Sequence, residues 1–112
     1  METKRASSRQ YFNCHIAGFS HYEGCLAIND LKPGVKLVLE RELNNPFDPR
    51  AVAIYYDNYK LGYIPKTHNE DICTFLDMGY TEIFDARVQT VSPDSHPEAQ
   101  VRVVVFIKSK NN

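Results

Sequence analysis

No stretch of this sequence approaches the roughly 20 consecutive apolar residues that a membrane-spanning helix needs, so no membrane partner is expected. The first ten residues, METKRASSRQ, lack the apolar run of a secretory signal, and the reading is of a soluble, cytoplasmic protein. Net charge is almost absent: 13 Lys and Arg against 14 Asp and Glu leave −1. A strong, sequence-independent grip on duplex DNA usually brings a basic footprint, which is missing here, although a pocket for one or two phosphates remains compatible with the balance. The three cysteines, Cys14, Cys25 and Cys73, form no C-x-x-C pair. They read as reduced, mostly buried thiols.

Catalytic signatures are missing as well. His15, His21, His68 and His96 are scattered, and no G-x-S-x-G, P-loop or H-E-x-x-H motif occurs. A zinc site from Cys14, His21 and Cys25 fits no standard spacing, and His21 with Asp48 is the acid–base pair an enzyme would have to use. No cofactor is implied.

What is present is one domain's worth of chain, 112 residues with ordinary apolar content. Residues 1–9, with Lys4, Arg5 and Arg9, read as a flexible arm, residues 10–108 as the domain and 109–112 as a tail. YFNCHIAGF, VKLVLERE, AVAIYY, LGYIP, FDARVQTV and VRVVVFIK have strand character. Val35, Leu37 and Leu39 share one face, and Asp57-Asn58 marks a hairpin turn. THNEDICTFLDMGY predicts a helix over about 68–78. It has a capping box at Thr67 and Glu70, acids in the first turn, Ile72, Phe75 and Leu76 at helical spacing, and Gly79 as its stop. EGCLAIND leaves room for a short second helix. The fold class is α+β, mostly β: a small antiparallel barrel of about six strands capped by a helix.

Three stretches between or after these elements could carry chemistry. In NNPFDPR, Pro46 and Pro49 restrict Asn45 and Asp48, so Phe47 and Asp48 stand between two rigid points. An aromatic beside a carboxylate could stack a base and accept a hydroxyl hydrogen bond; the same residues are also ordinary turn formers. In GYIPK, Tyr63 and Lys66 place a ring and a cation near a helix start that favours anions, or a half-buried ring and a solvated charge. In AGFSHYEG, Phe19, His21 and Tyr22 follow Gly18 at a strand end, where core packing explains them equally well.

Taken together, in this order and spacing, AGFSHYEG, LVLERELNNPFDPRAVAIYY and KLGYIPK resemble the HIRAN domain over about residues 10–107. The resemblance implies an OB-like β-barrel with short helices, found as small stand-alone bacterial proteins and at the amino terminus of fork-remodelling DNA translocases. It implies recognition of single-stranded DNA 3′-hydroxyl ends, with a role in DNA repair and a helicase or nuclease as a further partner. By position, Asp48 would accept the 3′-hydroxyl, with Phe47 and Asn45 beside it. Lys66 would contact phosphate, and Tyr63 would line the pocket. Where fork-remodelling members carry an arginine and an aromatic, this chain has Ser20 and His21; Tyr22 follows as a substitute ring. The alternatives are an accessory module that kept the barrel and lost DNA binding, and an enzyme acting on nucleic-acid ends or nucleotides.

Overall fold

The computed structural model describes residues 8–110. Six strands form one antiparallel sheet: β1 (Ser8–His15), β2 (Lys36–Arg41), β3 (Val52–Tyr56), β4 (Tyr59–Tyr63), β5 (Phe84–Val91) and β6 (Val101–Lys108). Their order is β1-β6-β5-β2-β3-β4, so β1 and β4 are the outer strands. The sheet is not closed by a ladder. Its two edges meet through one bridge, in which Ala17 and Tyr63 exchange both N–H···O bonds at 2.9 Å. This is the small antiparallel barrel that the strand pattern predicts, with the OB-like form that the family resemblance implies.

Local chemistry accounts for most of these elements. β6 buries Val101, Val103 and Val105 at 1% exposure or less, and each fully buried side chain of this class contributes about 1.5–3 kcal/mol. Leu37 is buried, with Val35 and Leu39 half-buried on the same face, as the alternation predicts. The β3–β4 hairpin turns at Asp57-Asn58, where Asp57 adopts a φ of 52°, a left-handed conformation that Asp tolerates better than most residues. The short second helix is α1 (Gly24–Ala27), followed by a 3-10 turn at Ile28–Asp30.

The long helix, α2, spans Lys66–Asp77 and differs from expectation at its start. The capping box does not form, because Pro65 occupies the N-cap position with no side-chain cap bond. Its fixed φ and extended ψ of 151° aim the chain straight into the helix. Thr67 and Glu70 therefore lie inside the helix, and the first turn carries no acid. At the other end Gly79, with φ 91°, completes a Schellman closure: its N–H bonds to Leu76 O and that of Tyr80 to Phe75 O. Ile72 and Leu76 are buried, but Phe75 is 41% exposed and packs edge-on against Tyr80 and Phe84.

β1 begins at Ser8, which pairs with Lys108, and Arg9 pairs with Ile107, so these two residues of the expected arm belong to the sheet; residues 1–7, with Lys4 and Arg5, lie outside the described residues. Cys14 and Cys73 are buried and Cys25 is exposed, all as free thiols. Among the described residues no helix is long and apolar enough to cross a membrane.

Candidate nucleic-acid interface

The NNPFDPR loop joins β2 to β3 and folds around its own polar side chains. Asn45 Oδ1 accepts the N–H groups of Phe47 and Asp48 at 2.8 and 2.9 Å, and Asp48 Oδ1 accepts that of Arg50 at 2.9 Å. These side-chain turns satisfy amides that no strand reaches. Arg41, at the end of β2, fastens the loop from outside. Its guanidinium donates to the carbonyls of Pro49 at 2.6 Å and Ala51 at 3.0 Å and pairs with Asp77 at 2.8 Å. On the opposite carboxylate oxygen, Asp48 Oδ2 accepts from Asn69 Nδ2 at 2.8 Å. Asn69 is 2% exposed, the buried polar residue of α2. The outcome is a rigid loop that leaves Phe47 87% exposed.

Beneath the loop lies a compact charged network. Lys60 Nζ meets Glu42 Oε2 at 2.7 Å and donates to the Tyr63 hydroxyl at 2.6 Å. That hydroxyl donates to Glu42 Oε1 at 2.6 Å, and Asn45 Nδ2 donates to the same oxygen at 2.9 Å. The ammonium also faces two rings, 4.9 Å from the centroid of Tyr22 and 4.6 Å from that of Tyr63, which are themselves edge to face at 5.5 Å. Burial alone would push the Glu42 carboxyl up; hydrogen bonds from Lys60, Tyr63 and Asn45 and the charge of Lys60 outweigh it and hold the group below its usual range. Burial and the Glu42 carboxylate push the Tyr63 hydroxyl up to about 12 despite the opposing Lys60.

A second carboxylate organises the turn after β1. Glu98, on the β5–β6 loop, accepts the N–H groups of Gly18 at 2.9 Å and Ser20 at 3.1 Å, and the Ser20 hydroxyl at 3.1 Å. Burial would raise this carboxyl too, yet these donors and the nearby His21 lower it.

The expected residues thus fall into linked groups. Asn45, Tyr63 and Tyr22 share one network, and Phe47 and Asp48 hang from it through the Asn45 turn. Ser20 and His21 occupy the neighbouring turn, engaged with Glu98. Lys66 is the first residue of α2, exposed, and in no ion pair among the described residues. No acid–base pair forms between His21 and Asp48, because Asp48 is held by Asn69 and the Arg50 amide while His21 faces Glu98. Sequence reasoning missed Glu42, Lys60, Asn69 and Glu98. Glu42 and Lys60 each precede a singled-out residue, Asn45 and Tyr63, by three positions; nothing local points to Glu98.

Comparison with known proteins sets this geometry in context. The family model for the HIRAN domain matches residues 9–110. Among curated proteins none matches the sequence. A solved structure of a protein from Lactobacillus plantarum is similar at 20% identity and a TM-score of 0.74, over 89% of this chain and 94% of that one. The HIRAN domain of human HLTF is similar at 18% identity and a TM-score of 0.63, over 94% of this chain and 84% of that one. At these identities the two structures speak for the fold.

Proposed function

The chain belongs to the HIRAN domain family, whose members are DNA-binding modules, and on that premise we propose that it binds single-stranded DNA ends at the NNPFDPR loop. The observation that carries the proposal is the exposure of Phe47, 87%, on a loop fastened on either side of it by the bonds of Asn45 and Asp48. Leaving a large ring in water forgoes its burial, while a nucleobase stacked on it recovers roughly 1–3 kcal/mol. Beside it, each Asp48 oxygen accepts one hydrogen bond from the protein. A carboxylate has about four acceptor sites, so the group retains capacity for a 3′-hydroxyl. Lys66, at the start of α2 and in no ion pair among the described residues, is the phosphate contact, and Tyr22 and Tyr63 form the wall beneath. The activity is binding, without catalysis.

Fluorescence anisotropy of a 5′-labelled oligothymidine of about ten nucleotides at low salt tests this. Binding in the micromolar range is expected for a 3′-hydroxyl end, weaker for a 3′-phosphate, with the preference lost in Asp48→Ala. Because Asp48 also fastens the loop, Asn69→Ala runs beside it, loosening the loop while keeping the carboxylate; it retains the preference. A preference that survives Asp48→Ala sinks the assignment of the carboxylate.

One observation favours a second reading, an accessory module that binds protein. Ser20 stands where the resemblance places a phosphate-binding arginine, and its donors, with the N–H of Gly18 two residues before it, are already occupied by Glu98. Wild-type protein that ignores every oligonucleotide while Glu98→Gln binds would support that reading.

A further inference from the structure

A cleft of about 1040 Å³ opens between β2 and β5, apart from the loop described above. The ladder between these strands holds only two pairs, Lys36–Arg87 and Leu37–Ala86. β2 runs on to Arg41, so among the described residues Val38–Arg41 has a strand neighbour on the β3 side alone. Buried Leu37, Leu76, Phe84 and Ala86 floor the cleft, and Val38 and Tyr80 stand 54% and 57% exposed along it. An exposed apolar patch beside an unpaired strand edge suits an extended chain: its backbone bonds to the edge and alternate side chains enter the floor.

The rim selects the chemistry of the occupant. Lys36, Lys108 and Lys110 line it, none in an ion pair among the described residues, against the single acid Glu82. Of the acids nearby, Asp77 and Asp85 are already held by Arg41 and Arg87, and Glu40, further along β2, does not line the cleft. The chain's own amino-terminal arm has the wrong sign, with Lys4 and Arg5 against Glu2. A nucleic-acid strand would meet an aliphatic floor, and the exposed rings of Phe75 and Tyr80 pack edge to face at 76° rather than offering free faces. We propose that this cleft takes an extended segment of a partner protein that alternates apolar and acidic side chains and adds as a strand to β2.

The test is an NMR titration of the ¹⁵N-labelled protein with a short capped peptide alternating Glu or Asp with Ile or Val. The amides of Val38, Leu39, Phe84 and Lys110 shift and saturate. Lys36→Glu with Lys110→Glu, both at exposed positions, weakens binding about tenfold by reversing two surface contacts. A control peptide with Lys in place of the acids leaves these amides unmoved, and Asp48→Ala binds the acidic peptide as wild type does. The proposal is overturned by unmoved amides at millimolar peptide, by equal binding of the lysine peptide, by oligothymidine shifting the same amides, or by concentration-dependent self-association through the cleft.

Discussion

Gly62, within β4, gives the sharpest quantitative prediction. Its φ is 148°, and a Cβ there would lie 2.4 Å from Ala17 O and 2.6 Å from Ile16 Cγ2. Gly62→Ala therefore forces apart the bridge that joins the sheet's two edges, where Ala17 and Tyr63 exchange two bonds of 2.9 Å. Each such bond contributes about 1 kcal/mol net, and a non-glycine residue in such a backbone region costs about 1–3 kcal/mol. The sum, about 3–5 kcal/mol, is a large share of the about 5–15 kcal/mol that holds a domain folded. Calorimetry should show Tm falling by at least about 10 °C, and hydrogen exchange should show protection lost at the Ala17 and Tyr63 amides. Gly79→Ala separates clash from backbone strain. Gly79 has φ +91° but nothing within 4 Å of an added Cβ, so only the left-handed backbone cost of about 1–2 kcal/mol applies. Equal falls for the two variants, or a Gly62→Ala protein with the bridge amides still protected, would refute the argument.

The remaining predictions concern the charged groups around the loop. Tyr63→Phe removes the hydroxyl between Lys60 and Glu42 while leaving their 2.7 Å pair; a loss of about 1–2 kcal/mol is expected from the urea midpoint, and an unchanged midpoint would leave the hydroxyl without a stabilising role. Arg41→Lys cannot reach Pro49, Ala51 and Asp77 together, so it should cost about 2 kcal/mol and raise the mobility of Phe47 in NMR relaxation; a rigid Phe47 would mean that the Asn45 and Asp48 turns suffice. Glu42 and Glu98 are both depressed in the fold, so the unfolded chain takes up their protons first as pH falls. Their contribution is present above the ordinary value of about 4.3 and lost as pH drops through the lower folded values. Melting between pH 5 and 2 should show that fall, with Glu98→Gln flattening part of it. A profile unaltered by Glu98→Gln would place the acid sensitivity elsewhere.

Much of the fold is legible in short-range pattern. The valines of VRVVVFIK, the Asp57-Asn58 turn and the Gly79 stop mark a strand, a hairpin and a helix end, because each depends on residues a few positions apart. The start of α2 is where local reading misled. Thr67 has the chemistry of a cap, but Pro65 had already set the chain's entry angle. Phe75 has the spacing of a core residue, yet it stands half out because β2 and β5 part beneath it.

The candidate site divides in the same way. Asn45, Phe47, Asp48, Tyr63 and Lys66 are visible as motif residues, since turn chemistry and a strand end announce them. Their partners are not. Gly18 and Glu98 are 80 positions apart, and Asn69 is 21 from Asp48. By itself the sequence determined which segments are extended, which is helical and which loop is rigid, because those preferences are local energies of φ, ψ and side-chain burial. Only the tertiary structure decided which carboxylate meets which donor, and that β2 and β5 part to leave an open cleft. Both follow from how the strands wrap, and short-range pattern does not encode the distance between two edges of a sheet.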